Sequence, residues 1–340
     1  MTENITIKDI AQQTGVSVAT VSLALNNRPG VSPETRAKIL EVAGQLGYPV
    51  NKPSPAKSNT RTIGMVVKTE ANLPPRANPF YSQVIVGIEE ACRRNQINLM
   101  FATMPVDENN HPTSIPQVFY SDQVDGLLLV GAFMDATITS LAGHNLPPIV
   151  LVDAYSDTET YDMVVSDNFQ AAYNAVEFLL AQGHHHIGLI GSEPDSYPSI
   201  RQRRNGYLRC LKDHAIPDTY IASFNPNDPS DDGYDEIVSV LQTNPQLTAL
   251  FCVNDHVALT AMKAAFDLGR KIPEDLAVIG YDDIHQAATT IPSLSTMRVD
   301  TASMGWAAVN LLLMRLEQPD AARMTLVIHP TLVKRDSIKK

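Results

Sequence analysis

Several polar side chains stand just past short apolar runs, where strands of a folded sheet would end. Asp282 follows Val278-Ile279-Gly280 and Asn254 follows Phe251-Cys252-Val253, so both are expected to project from strand ends into a cleft. Arg203, placed at the start of a helix, offers a planar fork of donors. Phe80, Tyr81 and Phe224 offer apolar faces. A carboxylate, an amide and a guanidinium beside aromatic rings match a polyhydroxylated ring or a nucleobase, whose polar edge needs donors and acceptors while its faces need stacking. The plainer alternative for each is a strand-end Asp or Arg that only caps a turn.

Other constellations point away from catalysis. His184-His185-His186 precede a strand, where adjacent imidazoles diverge, and no carboxylate lies at ligand spacing, so solvent-facing side chains on a turn are expected rather than a metal site. Asp231-Asp232 reads as a solvated loop leading into a helix and lacks the spacing of a calcium loop. Asp282 and Asp283 are neighbours beyond a strand and should point apart, with no activated nucleophile nearby. The chain has no Gly-x-Gly-x-x-Gly, no phosphate loop and no Gly-x-Ser-x-Gly, so no catalytic residue, metal or cofactor is expected. Cys92, Cys210 and Cys252 lie far apart without a Cys-x-x-Cys, which fits buried free thiols.

The elements that must hold the candidate residues alternate. Apolar strand-like runs at Ile63 to Val67, Asn98 to Thr103, Gly126 to Val130, Ile149 to Val152, Ile187 to Ile190, Ala249 to Val253 and Leu276 to Ile279 are separated by helical periods. Those helices are read at Phe80 to Asn95, Gln170 to Gln182, Arg201 to His214 and His256 to Leu268. Such alternation over residues 63–340 predicts an α/β body of two doubly wound parallel-sheet subdomains with a ligand between them. Val84, Ile85, Ile88 and Leu99 are read as core mixed with subunit contact.

Residues 1–48 read differently, as an all-α unit. Thr6 precedes a short helical period with Ile7, Ile10 and Ala11. Thr14-Gly15-Val16 breaks it, and Ser17 caps a second period in which Val21 and Leu25 stand four apart. Two short helices across a glycine-containing turn predict a helix-turn-helix, and a third helix is expected from Ser32 or Pro33 to Gly47. Residues 49–62, with Pro53 and Pro55 among small polar side chains, read as a linker.

Charge follows the same division. The chain carries −11 overall, which opposes nucleic-acid binding, but residues 1–62 hold seven Lys and Arg against four Asp and Glu, a net +3, leaving −14 elsewhere. A basic head on an acidic body orients an encounter with DNA rather than preventing it. No apolar run approaches the roughly 18 residues a membrane span needs, and Met1 to Lys8 lacks a signal-peptide core, so no membrane partner and a cytoplasmic location are expected.

Ile7-Lys8-Asp9-Ile10-Ala11, Gly15-Val16-Ser17-x-Ala19-Thr20-Val21-Ser22, Asn26 and Val31-Ser32-Pro33-Glu34-Thr35-Arg36 through Gly47-Tyr48 closely resemble the head of the lactose and galactose repressor family. The resemblance continues through Asn78-Pro79-Phe80-Tyr81, Asp125-Gly126, Ser166-Asp167-Asn168, Gly183-His184, Arg203-x-x-Gly206-Tyr207, Asn254-Asp255, Gly280-Tyr281-Asp282-Asp283 and Leu294-Ser295-Thr296 to Leu332-Val333-Lys334-Arg335. That makes the body similar to periplasmic sugar-binding proteins as well.

The resemblance implies a dimeric repressor on a palindromic double-stranded operator, tuned by a small-molecule effector, most commonly a sugar, with a nucleoside or purine as alternative. It also implies that Thr6, Ser17, Ser22, Asn26, Ser32 and Thr35 hold phosphates while Val18, Ala19 and Leu23 face base edges, with Thr20 beside them. Effector binding falls first to Arg203 and Asp282, then to Asn254, Phe80, Tyr81, Phe224 and Ser199.

Two departures from the family stand out. Leu23 occupies a position where relatives often carry Arg, so readout there is apolar and favours thymine methyls. The linker also lacks a large apolar wedge, its candidates being Ala56, Lys57 and Ser58, so less operator bending than in relatives is expected.

Overall fold

The computed structural model describes residues 6–25, 30–46, 48, 60–70, 78–107, 109–141, 146–156, 161–226 and 232–339. Met1–Arg61 and Thr62–Lys340 form two separately compact units.

In the first unit, α1 (Ile7–Thr14), α2 (Val18–Leu25) and α3 (Pro33–Gln45) enclose a small core of Ile10, Ala11, Val21, Ala24, Ile39 and Ala43. Each start is set by a short side chain. The Asp9 carboxylate accepts both the amide and the hydroxyl of Thr6 at 2.7 Å. Ser17 and Ser32 accept the amides of Thr20 and Thr35 at 3.1 and 3.2 Å, so one orphan N–H group at each helix start finds a partner. α1 ends at Gly15, whose left-handed backbone, φ 75°, lets its N–H reach the Ala11 carbonyl. Arg36 of α3 donates to the Ala24 carbonyl at 3.0 Å, placing a positive charge at the C-terminus of α2.

The second unit holds two six-stranded sheets. The first contains β1 (Thr62–Glu70), β2 (Asn98–Val106), β3 (Gly126–Val130), β4 (Ile149–Val152) and β5 (Asp162–Ser166), with α4 (Pro79–Arg94) and α5 (Asp135–Leu141) among its connections. The second contains β6 (Ile187–Ile190), β7 (Tyr220–Ala222), β8 (Ala249–Cys252), β9 (Ala277–Asp282) and β10 (Ser295–Arg298), linked by α7 (Pro198–Asp213), α8 (Tyr234–Thr243), α9 (Asp255–Asp267) and the short α10 (His285–Thr289). α6 (Asn168–Ala181) and α11 (Thr301–Glu317) carry the chain from one sheet to the other, and β11 (Thr325–Ile328) and β12 (Thr331–Val333) close one edge of each.

The orders are β11-β5-β4-β3-β1-β2 and β12-β10-β9-β8-β6-β7. All pairings are parallel except β10 with β12, which is antiparallel. Helices on both faces explain why β3, β4, β6 and β8 are apolar throughout and buried at every position. α4 and α11 meet backbone to backbone, because a Cβ on Gly305 would lie 2.5 Å from the Gly87 carbonyl carbon.

The predicted helices are present but begin earlier than the apolar periodicity indicates. α7 starts at Pro198, not Arg201, because proline at the first helical position sacrifices only an amide that is orphaned anyway. Arg203 therefore sits in the second turn rather than at the start. Val84 and Ile88, expected in part at a subunit contact, are wholly interior, and the neighbouring Val86 and Phe101 are the exposed ones, at 63% and 59%. His185 is exposed as expected, while His184 and His186 are only half-exposed and bond the hydroxyls of Thr248 and Tyr220, each at 3.0 Å. All three cysteines are buried and free, and burial pushes the thiols of Cys92 and Cys210 up to about 11 and about 12.

Candidate functional site

On the first unit, the turn and the start of α2 present Ser17, Val18 and Ala19 to solvent while Val21 and Ala24 face inward. Helical spacing forces this division, since residues three and four apart share a face. Thr6 and Ser32 are exposed, and Thr20, Ser22, Leu23 and Thr35 are half-buried. The exposed positions on α2 carry no formal charge, so they offer apolar contact and hydroxyl donors rather than a guanidinium fork. Asn26 lies outside the described residues, as do positions 49–59 of the linker.

On the second unit, polar side chains gather between the carboxyl ends of the two sheets. Arg203 is buried, and each nitrogen of its guanidinium has a partner or a facing charge. Nε donates to Asn168 Oδ1 at 2.8 Å, one terminal nitrogen donates to the Val253 carbonyl at 2.5 Å, and the other faces Asp282 Oδ1 at 3.6 Å. Its Cζ lies 3.6 Å from the centre of the Tyr281 ring. Asn168, the first residue of α6, donates in turn to the Tyr155 hydroxyl at 2.8 Å and so ties Arg203 to the end of β4.

Across the cleft, the Tyr81 hydroxyl donates to Asp153 Oδ2 at 2.9 Å. The Tyr197 hydroxyl, just before α7, reaches the carbonyls of Phe133 and Asp153 at 3.0 and 3.1 Å. Ser166 of β5 and Tyr281 of β9 place their hydroxyls 3.1 Å apart. The Tyr197 bonds and the contact between Ser166 and Tyr281 join the two subdomains directly.

Burial dominates the electrostatics. It pushes Asp153 up to about 6, against the opposing pull of Arg203 and the Tyr81 hydrogen bond. It also raises Asp282 well above the ordinary carboxylate range, again against Arg203. The hydroxyls of Tyr81, Tyr155, Tyr197 and Tyr281 are all raised by burial and remain protonated donors.

Asp282 and Asp283 both adopt left-handed backbone, with φ 106° and 61°, and their side chains part as expected. Asp282 faces Arg203, while Asp283 meets Arg298 at 2.5 Å and Arg335 at 2.6 Å. Buried Asp255 holds this turn by accepting the Ile284 amide at 2.9 Å and the Thr296 hydroxyl at 2.6 Å.

Of the residues expected in the cleft, Tyr81, Arg203 and Asp282 enter this network, and Phe80 packs edge-on to Tyr81 with ring centres 5.2 Å apart. Ser199 is buried in the first turn of α7. Asn254 spends its carbonyl oxygen on the Val257 amide, as the cap of α9, the plainer role weighed for strand-end residues. Phe224 packs on Gly233, where a Cβ would fall 2.3 Å from the ring. Residue-type reasoning passed over Asp153, Tyr155, Tyr197 and Tyr281. Asp153 had a usable signal, since it follows Ile149–Val152 just as Asp282 follows its own strand. Among the described residues, no group of three metal-ligating side chains occurs.

Residues 6–51 match the bacterial regulatory proteins of the lacI family, and residues 176–338 match the periplasmic binding protein-like domain. The chain is 31% identical over 338 residues to the HTH-type transcriptional repressor PurR of Mannheimia succiniciproducens, covering 98% of this chain and 99% of that one. It is 33% identical over 342 residues to the ribose operon repressor of Haemophilus influenzae, covering 98% of each. Among solved structures, a complex of the transcriptional regulator CelR with cellobiose superposes with a TM-score of 0.67 at 25% identity, over 98% of this chain and 99% of that one. A lacI-family regulator from Enterococcus faecium with bound ribose gives 0.66 at 25% identity, over 82% of this chain and 98% of its own. The fold and the site define a DNA-binding transcription regulator, not an enzyme. The chain belongs to the lacI family of bacterial regulatory proteins.

Proposed function

We propose that this regulator is a dimeric repressor in which residues 1–48 read one half of a palindromic operator, 49–62 form the hinge and 63–340 sense a small polar effector, most simply a sugar. The observation that carries this reading is the network from Tyr81 and Asp153 through Tyr197 and Asn168 to Arg203 and Asp282, which joins both subdomains around the sheet ends. A ligand seated there touches both halves and shifts their balance, which is the differential contact that allosteric control requires. A nucleoside or purine is the second reading, favoured by the rings of Phe80, Tyr81, Tyr155 and Tyr197 in or beside that network.

Pairing of heads fits an operator of two half-sites, and β2 supports pairing because it ends its sheet and leaves Phe101 exposed. The protein acts in the cytoplasm, where its operator is. Among the described residues, no helix is long and apolar enough to cross a membrane.

The test is a thermal-shift screen of sugars and nucleosides followed by operator titration with each hit. Asp282→Ala is expected to bind operator as the parent does and to lose the effector response. A normal response would remove Asp282 from the site. Leu23→Arg shifts base preference at one operator position in a binding selection, and an unchanged preference would refute its placement against a base edge. In the same terms, gel phasing is expected to show less bending than relatives with an apolar hinge wedge.

A further inference from the structure

We infer that the cleft accepts electrically neutral effectors rich in hydroxyl donors and turns away their anionic counterparts, namely uronates, phosphate esters and nucleotides. The inference rests on the small-effector reading above and narrows it.

The network contains two carboxylates, Asp153 and Asp282, but one guanidinium, Arg203. That guanidinium is bonded to Asn168 and the Val253 carbonyl and paired with Asp282, and the Tyr281 ring covers one face. Asp153 forms no ion pair among the described residues and takes its hydrogen bond from the Tyr81 phenol.

Two of the phenols are committed as well. Tyr81 gives its proton to Asp153, and Tyr197 gives its own to the carbonyls of Phe133 and Asp153. Beside the Tyr155 hydroxyl, which accepts from Asn168, what the network leaves over is mainly acceptor capacity on two carboxylates, each with about four acceptor sites when ionised, one of those on Asp153 being filled by Tyr81. A ligand that supplies hydroxyl donors satisfies it. An anion supplies acceptors to acceptors and adds negative charge beside Asp153, while the one guanidinium of the network is already paired with Asp282. It enters only by repulsion or by forcing protons onto buried carboxylates, and like-charge contacts of this kind are strongly disfavoured.

The experiment is calorimetric titration of the full chain at neutral pH with matched pairs: ribose and its phosphate ester, glucose and glucuronate, adenosine and its monophosphate. In every pair of which a member binds, the neutral compound is expected to bind at least about a hundredfold more tightly. Asp153→Asn removes one charge and keeps the shape, so it is expected to narrow that gap by at least about tenfold. An anionic member that binds as tightly as its neutral partner overturns the charge rule while leaving the effector site in place, and so does a gap that Asp153→Asn leaves unchanged. Silence from every pair, in a protein whose unfolding transition is intact, overturns the charge rule and the sugar or nucleoside reading together.

Discussion

Among the described residues, the head keeps six small or medium side chains in its interior and carries the residues proposed to meet DNA on or near its surface, whereas the body holds Arg203, Asp153 and Asp282 between sheet ends. A head of that size holds little stability in reserve, but its contact residues can change without disturbing the core. In the body, binding and folding share the same atoms. On the proposed roles, operator preference is free to drift at Val18, Ala19 or Leu23, while effector preference is constrained by a network whose groups partner one another.

Truncating the core of the head separates the two units most sharply. Ile39 is fully buried, and Ile39→Ala is expected to cost about 2 to 5 kcal/mol, enough to unfold the head. Operator binding in a gel shift then disappears while calorimetric effector binding by the body persists. If effector affinity fell with it, the two units would not be separable.

Arg203→Ala tests the body in the same sense. Removing one partner of a buried ion pair costs about 3 kcal/mol or more, so the unfolding transition of the body shifts down and effector binding is lost. Trp306, the single tryptophan, lies in the body and reports on it alone by fluorescence. A variant with parental stability would mean that Asp282 and Asn168 find other partners.

The two units also answer pH with opposite sign. Burial raises Asp255 to about 7 and Asp153 to about 6, so their protonated forms stabilise the folded body at low pH and that contribution is lost as pH rises through 6 and 7. In the head, hydrogen bonds from Thr6 lower Asp9, whose contribution is lost only on acidification below its ordinary value of 3.8. Between about pH 5 and pH 8 the unfolding temperature of the body, followed through Trp306, is expected to fall with rising pH, less steeply in Asp255→Asn. A flat or rising profile would show that these acids are not held protonated.

The smallest effect sharpens the comparison inside the body. Tyr197→Phe removes one hydroxyl that bridges the subdomains and is expected to cost about 1 kcal/mol, seen as a modest change in effector affinity at constant operator affinity.

How far the sequence could be read follows from how local each signal is. The caps of α1, α2 and α3, the Gly15 turn and the outward face of α2 all lie within a few residues of what they control, and all were legible. Strand ends were legible too, which placed Asp282. Asp153 obeys the same rule but follows only four apolar residues, and its partner Tyr81 is 72 positions away. Tyr197 precedes a first turn, Pro198-Ser199-Ile200, with too few apolar positions to show a helical period. Phe224 was placed by residue type and by the family resemblance. What directs it is the missing side chain at Gly233, nine positions along, and no residue-type rule reveals that. α11 and the two closing strands went unread because α11 is apolar on most of its faces, so no single stripe marks it.

The most direct test is the affinity of the intact protein for an operator chosen from random duplexes, measured at moderate salt against random competitor while a neutral effector from the thermal screen is titrated in. The expected result is a marked preference for the chosen duplex and at least a tenfold change in its affinity at saturating effector, absent in Asp282→Ala. Equal binding to chosen and random duplexes, with or without ligand, would contradict the account.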